Sequence, residues 1–412
     1  MRIMLKAFYL TSFLFLFLQV SIYTSMSNKK SQVSQYKTWL EVDGNALRYN
    51  LRSVQKQVGK NVMVMAIVKS NAYGHGITEV AKELLALRSF REGGWFGVDS
   101  IDEALTLKKA GIKNPILILG YIPKPRLIDA VKNGFRFALY DADVLKESAR
   151  VARKFRKKAL VHIKLETGTY RQGILRTDLH SFFQLLKKYK DRIRVEGLYT
   201  HFADTENLSS SYYKEQLTHF EHAKNYFQEM GIYPTFFHTA ASAALFSRTQ
   251  TRFNMVRLGI ALYGLYPSPE VEEVFSRTYH LQPVMSWKAK IAQVKEVPNG
   301  ATIGYGRTFT ALRPMKIALV PIGYADGFDR RFSNKGTVLM GGKHASVVGR
   351  VCMNIIMIDV SGISNVSAGE EVVIIGKQGK ECLSAEDLAA KAGTINYEII
   401  SRINPLLPRC VQ

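Results

Sequence analysis

Apolar residues recur along this chain with two different periods, and the point where the period changes divides it. Leu47, Leu51, Val54 and Val58 stand at helical spacing after a short expected strand at 39–43. Asp43 is therefore expected to cap a helix that runs to about Gly59. Further on, β-rich apolar runs occupy 62–68, 95–98, 116–119, 135–139, 160–165, 195–200, 235–238 and 256–262. Segments of helical pattern lie between them at 101–109, 144–155, 181–189 and 213–230. Eight strands alternating with helices predict a TIM-like α/β barrel, (β/α)8. An open doubly wound sheet is the alternative, but no GxGxxG follows the first strand, so a dinucleotide fold has no support.

After about Pro269 the pattern becomes short β-rich runs between glycine turns, at 286–294, 316–321, 337–340, 345–348, 355–360 and 371–375. Helical signal there is confined to 384–391. The expected division is a leader and linker at 1–37, the barrel at 38–272 and an all-β domain at 273–412.

The 412 residues suffice for two such domains, and an apolar fraction of 47% is ample for their cores. A net charge of +23 is unusual. Its basic runs, 149–158 and 187–192, carry apolar residues at helical spacing and read first as solvated helix faces. Affinity for an anionic membrane or cell-wall polymer is a second reading. No nucleic-acid motif accompanies the charge. Cys352, Cys382 and Cys410 show no metal spacing and no disulfide framework. Arg2, Lys6 and an uncharged apolar core at 7–22 resemble an export signal. A cleaved signal with a periplasmic or cell-envelope product, an uncleaved anchor associated with the membrane, and a start at Met26 with a cytoplasmic product are the three readings.

In a barrel, chemistry gathers at the C-terminal ends of the strands. The first run ends in Lys69, followed by Ser70-Asn71-Ala72-Tyr73-Gly74-His75-Gly76. A lysine on a rigid, half-dry support can lose its charge by desolvation and act as nucleophile and base. The fifth run carries Lys164 and leads to Arg171, the sixth ends in His201, the seventh leads to Ser242, and the eighth holds Arg257, Gly259 and Ile260. Each alone has an ordinary structural reading, as an ion-pair partner, a core histidine or a helix cap. Polar groups in phase at five strand ends are harder to read that way.

These runs closely resemble the alanine racemase family from about residue 39 to residue 409. The resemblance implies a pyridoxal 5'-phosphate (PLP) racemase of fold type III. Lys69 would carry the cofactor as a Schiff base. Tyr73, Ser242 and the backbone N–H groups of Gly259 and Ile260 would hold its phosphate. Arg257 would face the pyridine nitrogen, where a fixed positive charge discourages protonation. His201 would link Arg257 towards the catalytic tyrosine, Arg171 would bind the substrate carboxylate or the phenolic oxygen, and Lys164 matches a lysine often carbamylated in the family. Racemisation needs a second base opposite Lys69, and the family reading assigns it to Tyr305 in Gly304-Tyr305-Gly306. The ordinary reading of Tyr305 is a hairpin aromatic. Tyr324 matches the segment at the substrate mouth, and the Met353 backbone would meet the substrate carboxylate. The family pattern further implies a homodimer in which Tyr305 and Met353 act on the partner's Lys69 site.

Some positions depart from that pattern. Asn354 replaces a common acidic residue, Ala241 a common asparagine, and Glu166 and Tyr170 smaller choices in the carboxylate loop. Pro405 falls where some members place a phosphate-contacting tyrosine, which would leave space beyond the substrate Cβ. The function so implied is interconversion of L- and D-alanine for peptidoglycan. An exported racemase of broader specificity, accepting serine or larger amino acids, is the alternative within the class. Outside it stand a non-catalytic PLP-binding barrel and a cationic envelope-binding protein, against which the set Lys69, Arg171, His201, Arg257 and Tyr305 argues. No metal is expected.

Overall fold

A computed structural model describes residues 35–412 of the chain. The export-signal reading falls almost wholly on residues outside that range. Among the described residues no helix is long and apolar enough to cross a membrane.

The barrel forms as the pattern predicts. Its strands are β1 (Met63–Ile67), β2 (Trp95–Val98), β3 (Ile116–Ile118), β4 (Arg136–Leu139), β5 (Ala159–Lys164), β6 (Ile193–Tyr199), β7 (Phe236–His238) and β8 (Met255–Leu258). They hydrogen-bond in the order β7-β6-β5-β4-β3-β2-β1-β8, every pair parallel. Side chains alternate across such a strand. Met65 and Ile67 of β1 therefore cluster with Trp95, Leu117 and Met255. Val64 and Ala66 join the apolar faces of the surrounding helices in the larger core. The helix Gly44–Val58 supplies one such face through Leu47, Leu51, Val54 and Val58, and the Asp43 side chain accepts from the N–H groups of Asn45 and Ala46 at its start.

Side chains close the ring between β7 and β8, which share no ladder among the described residues. Asn254 takes the N–H of Phe237 at 2.8 Å and donates to the carbonyl of Thr235 at 2.7 Å, imitating a strand neighbour. At the other end of this seam, the Arg257 N–H donates to Ala240 at 3.0 Å. The Arg257 guanidinium adds bonds to the carbonyls of His238 at 2.6 Å and Thr239 at 2.8 Å.

The run at 256–262 was expected as one strand. It ends at Leu258, and the short 3-10 helix Ile260–Tyr263 follows. A buried run reads alike as strand or helix, and Gly259, at φ −99° and ψ −111°, makes the break. Helices Ile77–Leu85 and Leu127–Asn133 also escaped the pattern. The compact unit built on the barrel takes in Val42–Met285, Leu388–Pro405 and Val411–Gln412. The expected boundary at 272/273 thus falls inside this unit, and the helix Asn396–Ser401 packs with it.

The second unit holds mainly Ser286–Asp387 with Leu406–Cys410. Its largest sheet runs Lys343–Ser346, Thr337–Met340, Glu371–Gln378, Met285–Lys290, Thr38–Val42 and Arg409–Val411, with Glu381–Leu383 beside Glu371–Gln378. Gln293–Val297, Met315–Val320 and Ile356–Asp359 form a smaller sheet. The run at 286–294, read as one strand, serves both sheets. Ile291 donates to Glu370 and the next residue, Ala292, donates to Leu319.

Candidate active site

The first strand leaves the barrel through an uncommon backbone. Ser70, Asn71, Ala72 and Tyr73 have φ of 53°, 55°, 54° and 51°, a left-handed turn of four non-glycine residues directly after Lys69. Each such residue costs roughly 1–2 kcal/mol, so the turn persists only where its surroundings hold it. Gly74 follows at φ 84°, and a Cβ there would lie 2.0 Å from the Ile400 carbonyl oxygen. The turn lifts the Lys69 side chain and the half-buried Tyr73 into one cavity of about 890 Å³.

Opposite Tyr73, Ser242 and Gly259 make a small polar cradle. The N–H groups of Gly259 and Ala261 converge on Ser242 Oγ at 3.1 and 3.4 Å. A Cβ on Gly259 would sit 3.0 Å from the Tyr73 hydroxyl and 3.7 Å from Ser242 Oγ. Ile260 lines the same wall. Two hydroxyls and backbone N–H groups around a space that only glycine leaves open suit an oxyanion such as a phosphate.

Arg257 is 4% exposed and makes no ion pair among the described residues. Its guanidinium is held by the carbonyls of Thr200, His238 and Thr239, by His238 Nδ1 at 2.8 Å and by His201 Nδ1 at 3.2 Å. Burial lowers its pKa to about 10, so it stays charged at neutrality. Because arginine only donates, both imidazoles must accept through Nδ1 and carry their proton on Nε2. Burial and then the Arg257 charge hold His201 and His238 well below the ordinary imidazole range. His238 Nε2 meets His162 Nδ1 at 2.8 Å, so the chain of neutral imidazoles extends one residue deeper. His201 was singled out from the sequence. His238 was legible as the end of the seventh run but received no role.

Arg171 stands exposed at the rim, on a loop fastened by Glu166. The Glu166 carboxylate accepts from Gly168 and Thr169 at 2.7 Å each and from Arg171 at 3.2 Å. Burial pushes this carboxyl up, but the backbone N–H donors outweigh it and hold the group below its usual range. Lys164, 5% exposed, donates to Gln172 Oε1 at 2.8 Å. Burial, then the positive charges of Arg171 and Arg257, lower its pKa to about 7.

All nine barrel residues given a site role from the sequence thus line one cavity. Tyr397 lines it too and was missed; its ring lies 6.1 Å from that of Tyr73. Pro405 is not among the cavity walls, so a phenol enters from another position of the same C-terminal segment. Tyr305 and Met353 belong to the second unit. Tyr305 occupies the turn between the paired strands Thr302–Ile303 and Phe309–Thr310, between Gly304 at φ 76° and Gly306 at φ 70°, and is 73% exposed. Met353 is 56% exposed, with its carbonyl accepting from Ala325 at 3.0 Å.

The family model of the alanine racemase N-terminal domain matches residues 42–267, and that of the C-terminal domain matches 284–411. The chain is 40% identical over 373 residues to the alanine racemase of Methanococcus maripaludis, covering 90% of this chain and 97% of that one. Among solved structures, the alanine racemase of Streptomyces lavendulae superposes with a TM-score of 0.85 at 32% identity, over 91% of this chain and 97% of the other. That of Bartonella henselae, with covalently bound pyridoxal phosphate, superposes at 0.78 with 26% identity, over 92% of this chain and 100% of the other. With the cavity, its cradle and its buried arginine in place, these matches establish that the chain belongs to the alanine racemase family.

Proposed function

We propose that the protein interconverts L-alanine and D-alanine with PLP as its cofactor. The observation that carries this reading is the placement of Lys69, the Tyr73–Ser242–Gly259 cradle and Arg257 around one cavity. The residues fit PLP: an amine for its aldehyde, a cradle for its phosphate and a fixed cation for its ring nitrogen. When bound, PLP withdraws electrons from the substrate Cα and acidifies the proton there.

The remaining work falls to this chain. Lys69 takes or returns the Cα proton on one face, and Tyr305 does so on the other. Arg171 holds the substrate carboxylate, and Glu166 keeps its loop in place. Arg257 keeps its charge beside the ring nitrogen and so opposes protonation there. His201, with its proton on Nε2, offers a donor on the side away from Arg257, in line with its expected link to Tyr305. Lys164 reacts with carbon dioxide to give a carbamate that pairs with Arg171. Two copies associate so that Tyr305 and Met353 of each complete the cavity of the other, a role that fits their exposure. The D-alanine supplies peptidoglycan, and residues 1–37 direct export.

Borohydride treatment of the holoenzyme tests the core of this reading. A pyridoxyl group on the Lys69 peptide, together with formation of D-alanine from L-alanine, is expected. A chain that takes up no PLP, or is trapped elsewhere, overturns it. Sedimentation of the purified protein tests the dimer, and sequencing of the mature N-terminus tests export.

A further inference from the structure

We propose that Glu103 is a positioning residue for Lys69. The sequence Ser100-Ile101-Asp102-Glu103 reads as a capping box, and the structure forms one: Ser100 Oγ accepts the Glu103 N–H at 3.2 Å. A box needs the Glu103 carboxylate only for the start of its own helix. Here Oε2 takes that duty, accepting from Asp99 at 2.8 Å and Ser100 at 3.3 Å. Oε1 turns the other way and accepts from Ser70 at 2.6 Å and Asn71 at 3.4 Å. One half-buried carboxylate thus gathers four backbone N–H groups from the ends of β1 and β2.

The two residues held by Oε1 open the left-handed turn after Lys69. Within the turn, His75 Nδ1 lies 3.1 Å from the Ala72 carbonyl and 3.0 Å from that of Tyr73, and Asn71 Oδ1 accepts from Ile77 at 2.9 Å. Those contacts fix its far end. Glu103 fixes the near end, against the neighbouring strand. A strained backbone relaxes when an anchor is removed, and relaxation at 70–71 would swing the Lys69 side chain. A charged acceptor bonded to backbone N–H is among the stronger anchors. Glu103 is not among the cavity walls. It acts through the Lys69 backbone.

The inference rests on Lys69 being the cofactor lysine and, for its directional consequence, on the two-base reading. Glu103→Gln keeps the size and one acceptor but turns a donor towards N–H groups. Ser100→Ala breaks the other half of the box and leaves the Ser70 contact, so it is the control for helix capping. Both full-length variants are stripped of PLP, and the rate at which added PLP becomes borohydride-trappable on Lys69 is measured beside the thermal midpoint. Glu103→Gln is expected to slow trapping about tenfold. In the reloaded enzyme it lowers kcat about tenfold, leaves KM within about twofold and raises the α-deuterium isotope effect for one enantiomer only. That fall corresponds to ~1.4 kcal/mol of barrier. Ser100→Ala shifts the midpoint alone. Equal trapping rates in the two variants overturn the proposal. Slowed trapping with an isotope effect raised equally for both enantiomers supports the role of Glu103 and refutes the two-base reading beneath it.

Discussion

Replacing Lys164 with glutamine separates two properties that one amine combines. With a pKa of about 7, roughly half of the Lys164 side chains are neutral at pH 7. An unperturbed lysine, at about 10.4, is neutral in roughly one molecule in 2,500. The cavity thus raises the nucleophilic fraction roughly a thousandfold. A neutral amine adds to carbon dioxide, forming an N–C bond and releasing a proton, and the product is an anion beside Arg171. A charge-assisted contact of this kind contributes about 1.5–3 kcal/mol, so Lys164→Gln is expected to raise KM for alanine about ten- to a hundredfold. The assay is carbon-13 NMR of the enzyme in labelled bicarbonate. A carbamate signal should appear at pH 8, fall away below about pH 7 and be absent from the variant. A wild type without a Lys164-dependent signal, or an unchanged KM in the variant, refutes the reasoning. The sign for stability is also fixed. Between about pH 7 and 10.4 the unfolded chain keeps a proton that the native amine has released, so in the absence of carbon dioxide this group makes stability rise with pH across that window. Below about pH 7 both states are protonated and the burial penalty is fully present. Lys164→Gln should flatten that dependence in urea titrations.

Tyr305→Phe should retain PLP yet lower racemisation by about 10²–10⁴-fold, the contribution of a positioned acid–base group; solvent exchange of the α-proton should be lost from one enantiomer of alanine and kept with the other. Gly259→Ala puts a methyl 3.0 Å from the Tyr73 hydroxyl, and a PLP titration should show affinity reduced at least tenfold. Asn254→Ala removes both side-chain bonds at one end of the β7–β8 seam, and denaturant unfolding should show a loss of about 1–3 kcal/mol.

Much of the barrel was legible because each strand is a short apolar run between helical segments, and hydrophobic period is a local property. The catalytic candidates were legible for a related reason: strand ends are marked by where the apolar run stops, as at Val68–Lys69 and Tyr199–His201. What stayed hidden depends on contacts distant in sequence. The capping-box spacing of Ser100 and Glu103 can be read, but its second duty towards Ser70 joins residues 33 apart. The left-handed turn has no signal in Ser70-Asn71-Ala72-Tyr73, since only asparagine there favours such a backbone. Tyr397 lies in a helix more than 300 residues from Tyr73. The split of 286–294 between two sheets follows from which neighbour each residue finds, and alternation within the run does not encode that.

Arg257 has a consequence for how this protein can change. Its guanidinium bonds the carbonyls of Thr200, His238 and Thr239, and the last two lie on the seam that closes the ring. A carboxylate at 257, which in the role proposed for Arg257 would favour a protonated cofactor ring, would face those carbonyl oxygens with nothing to donate. Replacing Arg257 therefore weakens the closure of the barrel as well as removing the buried charge. The charge beside the cavity and the closure of the ring thus share one side chain, and a variant that alters the first would have to repair the second.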